Sequence, residues 1–214
     1  MSRRRVPDSA EAVLLYKITS ILLQYPDERV LACLDDVAGA LPAIGNPPVR
    51  TLLADFTGWL ATVTAIQAAQ HYVTTFDHTR KRSLYLTYYR HGDTRARGMA
   101  LLALKHTYRS AGYEPPEREL PDFLPLVLEF AALAPEAGAR ILIQCQAGLE
   151  LLRRALHDAA SPYGHLIDAV CGQLPALPPQ RFAELSRLAA EGPPTEQVGL
   201  EPFAPPEYVT GERR

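Results

Sequence analysis

Apolar positions along this 214-residue chain recur at intervals of three and four almost from its start. Leu14, Ile18, Ile21, Leu22 and Tyr25 fall on one stripe, which predicts a helix capped by Asp8 or Ser9. Pro26-Asp27-Glu28 stops that helix and opens another, with Val30, Leu31, Leu34 and Val37 turned inward. The segment from Leu41 to Pro48, rich in proline, reads as a loop. A third helix aligns Leu52, Phe56, Trp59, Leu60, Val63 and Ile66. Residues Thr94 to Ala111 are helical again, with Asp93 as cap and Gly112 as the stop.

A loop with Pro115-Pro116 leads into Glu119-Leu120-Pro121-Asp122-Phe123-Leu124-Pro125-Leu126-Val127-Leu128-Glu129-Phe130. There Asp122 is placed to cap a helix, and Pro125 fits its first turn, where the missing N–H costs nothing. Leu124, Val127 and Leu128 share one side of it, with Glu129 on another, and so apolar a helix needs something packed on it. After Pro135 one long helix carries Ile141, Cys145, Leu149, Leu152 and Leu156. Ser161-Pro162 starts a further helix, ended by Pro175. A last one, from about Gln180 to Ala190, turns Phe182, Leu185 and Leu188 inward. No strand pattern and no fixed-period repeat occurs, so the expected fold is all-α: a single-domain helical bundle over 8–190 with a flexible proline-rich tail, 191–214.

Composition narrows the function. With 47% hydrophobic and 21% charged residues the chain builds a real core. A net charge of −2 argues against bulk nucleic-acid or anionic-membrane binding. Cys33, Cys145 and Cys171 are too far apart in sequence for a C-x-x-C pair, which fits reduced thiols in a cytoplasmic protein. Arg3-Arg4-Arg5 is followed by no apolar stretch of the kind an export signal needs, and no run of 18 apolar residues offers a membrane span.

Phosphate loops, nucleophile elbows and zinc-helix motifs are absent. His157-Asp158, with His165 and Asp168 nearby, is the one set that could serve a helical metal-dependent phosphohydrolase; a solvated helix end is the plainer reading. A charge asymmetry is more informative. From Asp77 to Arg97 six basic residues face two acids, whereas from Glu114 to Glu136 six acids face one arginine. The two stretches either pair as solvated faces or form an acidic rim around an apolar groove suited to a basic amphipathic segment.

The ordered set Tyr72-Val73-Thr74-Thr75-Phe76-Asp77, Ser83-Leu84-Tyr85-Leu86, His91-Gly92-Asp93-Thr94-Arg95-Ala96-Arg97-Gly98, Glu119-Leu120-Pro121-Asp122 and Pro125-Leu126-Val127-Leu128-Glu129-Phe130 closely resembles the NarJ-type nitrate reductase assembly chaperones, within the wider TorD-like redox-enzyme maturation family. The resemblance runs over most of residues 11 to 190. It implies a non-catalytic, all-helical chaperone of the cytoplasm that binds the N-terminal segment of the apo catalytic (alpha) subunit of respiratory nitrate reductase. It would hold no cofactor stably itself. Its client would receive a molybdopterin guanine dinucleotide, with molybdenum cofactor biosynthesis proteins as further partners and neither nucleic acid nor membrane insertion involved. The positions it nominates for the client are Asp122, Glu119 and Glu129 for negative charge, Leu126, Phe130, Tyr85 and Tyr88 for apolar contact, and Arg80, His91, Asp93, Arg95 and Arg97 beside them. The wider family often has a histidine after the aspartate; here Phe123 stands there.

Overall fold

A computed structural model describes residues 9–192 and 194, and among them it contains twelve α-helices and no strand. The amino-terminal half comprises α1 (Ser9–Leu22), α2 (Glu28–Ala32), α3 (Leu34–Ala40), α4 (Pro47–Thr62), α5 (Ala65–Phe76), the one-turn α6 (Tyr88–His91) and α7 (Arg95–Ser110). The carboxyl-terminal half comprises α8 (Leu124–Leu133), α9 (Pro135–Gln144), α10 (Gln146–Asp158), α11 (Tyr163–Gln173) and α12 (Pro179–Glu191). The all-helical fold is as the periodicity predicts. Residues of the expected tail other than Glu191, Gly192 and Pro194 lie outside the described residues.

Several boundaries move, each for a local reason. The stretch expected as a loop holds a one-turn 3-10 helix, Leu41–Ala43, and α4 opens directly on Pro47-Pro48, which tolerate a helix start. That helix ends at Thr62, not beyond Ile66. Val63 turns extended and Thr64 starts α5 with a capping box: its side chain accepts from the Gln67 N–H while Gln67 bonds back to the Thr64 N–H. Ile66 therefore lies on the next helix and is 71% exposed. Thr94, not Asp93, is the N-cap residue of α7. The long helix after Pro135 breaks at Cys145 into α9 and α10, and Phe182 points outward while Leu185 and Leu188 are buried.

Helix α8 is the axis of the bundle. It is buried nearly all round, with Leu124, Val127, Leu128, Phe130 and Ala131 fully inaccessible and Leu126 at 5% exposure. The partner it needed is internal: α1 packs along one side and α9 along another. Gly138 of α9 lies so close to Ala131 of α8 that a Cβ there would collide with the Ala131 backbone, so glycine sets the approach of these two helices. At the other end of the core, Tyr163 is ringed by Phe56, Trp59, His71, Tyr72 and Phe76, with the Phe56 and Phe76 ring centroids each 4.9 Å away. Burial, together with the charge of Arg82, keeps His71 below the usual imidazole range.

Candidate functional site

The geometry begins with a short antiparallel clamp. The Leu124 N–H donates to the Leu84 carbonyl (2.8 Å) and the Leu86 N–H to the Asp122 carbonyl (3.0 Å), so that Tyr85 and Phe123 face each other as an isolated bridge. The tyrosine-rich segment after α5 is thereby tied to the residues that open α8. Tyr108 of α7 fixes the same loop by donating its hydroxyl to the Pro121 carbonyl (2.7 Å).

The clamp carries Asp122 inside. Phe123, not Asp122, is the N-cap residue of α8, and no side chain caps that helix. Asp122 is fully buried, and its Oδ2 accepts from the Thr87 N–H (3.1 Å) and the Thr87 hydroxyl (2.5 Å). Arg97 adds an ion pair at 3.5 Å. Its Oδ1 has no hydrogen-bond partner among the described residues. A buried carboxylate is tolerated only with such donors around it. Thr87 was not among the residues the sequence singled out; the need of a buried aspartate for hydroxyl and amide donors points to it.

Arg97, in the first turn of α7, ties this node to the surface. Its guanidinium carbon lies 5.7 Å from the ring centroids of both Tyr85 and Tyr88, and Nη1 reaches Asp93 at 3.3 Å. Asp93 also faces Arg80 at 3.8 Å. The Tyr85 hydroxyl donates to Glu119 Oε1 (3.1 Å), which accepts the Leu120 N–H as well (2.8 Å). Burial and the nearby Glu119 carboxylate push the Tyr85 phenol up to about 12, so it remains a donor at neutral pH.

Above this network lies an open cleft of about 350 Å³, walled by Phe76, Tyr85, Tyr88, Arg97, Glu119 and Phe123, with Arg80 and Asp77 at its edge. Five nominated residues, Arg80, Tyr85, Tyr88, Arg97 and Glu119, thus converge; Asp93 joins through its ion pairs, and Asp122 lies beneath. Others do not. Leu126 and Phe130 belong to the buried helix and offer no surface. Glu129 pairs with Lys17 of α1 at 3.0 Å. His91 lines a separate cavity of about 80 Å³ between α6, α7 and α10, and Arg95 is exposed on α7. An apolar groove along α8 with an acidic rim does not form, because its floor is the protein core. Phe123 faces Tyr85, ring centroids 5.4 Å apart, as part of the cleft wall.

The four residues of the phosphohydrolase alternative do not converge either. His157 meets Asp168 at 3.0 Å, but Arg153 holds Asp168 at 3.2 Å, and Asp158 lines a different groove. Among the described residues no three His, Cys, Asp or Glu side chains could hold a metal ion. Nor is any helix among them long and apolar enough to cross a membrane.

The family model described as "Nitrate reductase delta subunit" matches residues 45–168, from the start of α4 into α11, and so takes in both halves of the clamp. The chain belongs to the nitrate reductase delta subunit family. Within the family it is similar to the probable nitrate reductase molybdenum cofactor assembly chaperone NarJ of Bacillus subtilis (strain 168), at 36% identity over 78% of this chain and 91% of that protein. The Escherichia coli (strain K12) nitrate reductase molybdenum cofactor assembly chaperone NarJ is 35% identical over 71% of this chain and 65% of its own length. The nitrate reductase-like protein NarX of Mycobacterium tuberculosis (strain ATCC 25618 / H37Rv) is 41% identical over 78% of this chain, which spans only 25% of that relative.

Proposed function

We propose that this chain is a non-catalytic assembly chaperone that holds the catalytic subunit of a nitrate reductase while its molybdenum cofactor is inserted. Family membership and the similarity to the Bacillus and Escherichia assembly chaperones support the role. The tyrosine-walled cleft is the contact point for an N-terminal segment of that subunit. Its supporting observation is the charge balance. Arg80 and Arg97 are both neutralised by Asp93, and Arg97 also by Asp122, whereas Asp77 and Glu119 have no ion-pair partner among the described residues. The net charge offered to a ligand is therefore negative, and Tyr85, Tyr88 and Phe123 supply aromatic anchors. A basic segment with one or two apolar side chains fits this chemistry. No cofactor is held stably; a molybdopterin guanine dinucleotide belongs to the client, and the site of action is the cytoplasm.

Titration calorimetry with a peptide of the reductase N-terminal segment tests the reading. Tyr85→Ala is expected to weaken binding about tenfold and Glu119→Gln a few-fold, with affinity falling as salt rises. No detectable heat with the unmodified chain would sink the peptide contact; binding indifferent to salt would remove the acidic component alone.

A further inference from the structure

Helix α12 is the last of the described helices. It packs on α10, and its two inward side chains, Leu185 at 1% and Leu188 at 3% exposure, lie outside the contiguous core that runs from Leu15 to Leu174. In the chain leading to it, Gln146 of α10 donates to the Pro175 carbonyl (2.6 Å); Ala176, Leu177 and Pro178 then span to the helix without regular structure. The family model ends at residue 168, before this helix.

Among the described residues, open space flanks α12 where it meets the body. Leu188 stands between the 80 Å³ cavity that contains His91 and a groove of about 470 Å³. Leu151 and Ala155 of α10, with Tyr88 and Tyr89, form the apolar side of that groove; Lys81, Arg154 and Asp158 border it, and Glu191 of α12 pairs with Arg187 of its own helix at 3.2 Å. Tyr88 and Arg80 belong both to this groove and to the tyrosine-walled cleft, so the two surfaces are contiguous.

We propose that the α12 seat is a second docking site for the client, which takes an amphipathic helix, and that α12 occupies it as an internal stand-in until the client arrives. The seat fits a helix because it already holds one. The occupant needs two bulky apolar residues one turn apart, larger than leucine to fill the space flanking Leu188. A protein whose binding-competent state is only partly populated shows reduced apparent affinity, and unseating α12 removes that reduction. This inference rests on the chaperone reading.

The test measures binding of the reductase catalytic-subunit apoprotein to the full chain, to the full-length Leu185→Ala/Leu188→Ala variant, and to a chain ending at Leu177. Both altered chains are expected to bind about tenfold more tightly. A synthetic peptide of residues 179–191, added in excess to the shortened chain, is expected to reverse the gain. Should the shortened chain fail to fold, the full-length double variant decides. Unchanged or weakened affinity, or a gain that the peptide does not reverse, overturns this inference and leaves the chaperone reading standing. Failure of all three chains to bind the apoprotein overturns both.

Discussion

Helices α8 and α12 are both amphipathic or apolar segments of ten to thirteen residues that follow a proline-bearing turn, yet one is enclosed within the core and the other packs on α10 outside it. Helix α8 is enclosed by α1 and α9 and has seven buried residues out of ten; α12 packs on α10, where it buries Leu185 and Leu188. Apolar side chains on a helix show that something must cover them. They do not show whether the cover is a permanent part of the fold or an exchangeable one. The difference lies in how many faces are enclosed, and that is a property of the neighbours.

The largest expected effect is at the enclosed helix. Phe130 is fully buried against Tyr108 (ring centroids 4.4 Å apart) and Tyr113, and Phe130→Ala should cost about 3–5 kcal/mol of global stability, read as a lower denaturant midpoint with unchanged slope. A loss below about 1 kcal/mol would mean that α8 is not the axis of the core.

Most of the helices were legible in the sequence because their 3.6-residue periodicity is local. The enclosure of α8 was not, because its partner α1 is more than a hundred residues away and the run Leu124–Leu128 is apolar on every side, which leaves no direction to read. Asp122 was singled out correctly as a residue of consequence but assigned the wrong bond. A cap accepts only from the first amides of its own helix, whereas the observed contacts to Thr87 and Arg97 depend on the Leu84–Leu124 clamp. The cleft was partly legible, since Tyr85, Tyr88 and Arg97 were picked from one aromatic and basic stretch. Thr87 entered only through three-dimensional pairing, and Phe123, noted in the sequence for the absent histidine, gained its place in the cleft wall the same way.

The second-largest effect tests that pairing. Asp122→Ala leaves Arg97 without its buried partner and the Thr87 donors unsatisfied, and is expected to cost about 3 kcal/mol while also weakening client binding, because Arg97 loses its hold between Tyr85 and Tyr88. Full stability in this variant would show that the node holds nothing together.

The smallest global effect belongs to α12. Leu188→Ala should change the unfolding midpoint of the whole molecule by the equivalent of less than about 1 kcal/mol, while hydrogen exchange at the α12 amides accelerates. A large fall in the global midpoint would place α12 with α8 and end the contrast between them.

The aromatic ring around Tyr163 has an optical consequence. Trp59, the chain's single tryptophan, lies 5.0 Å from His71 and 6.0 Å from Tyr163 by ring centroids, and it borders neither the tyrosine-walled cleft nor the α12 seat. Its emission, excited selectively at long wavelength, therefore follows the integrity of the α4, α5 and α11 corner. An extrinsic dye near α12 and this native indole would report on two separate processes in one cuvette, so that departure of the helix and melting of the bundle register as two colours.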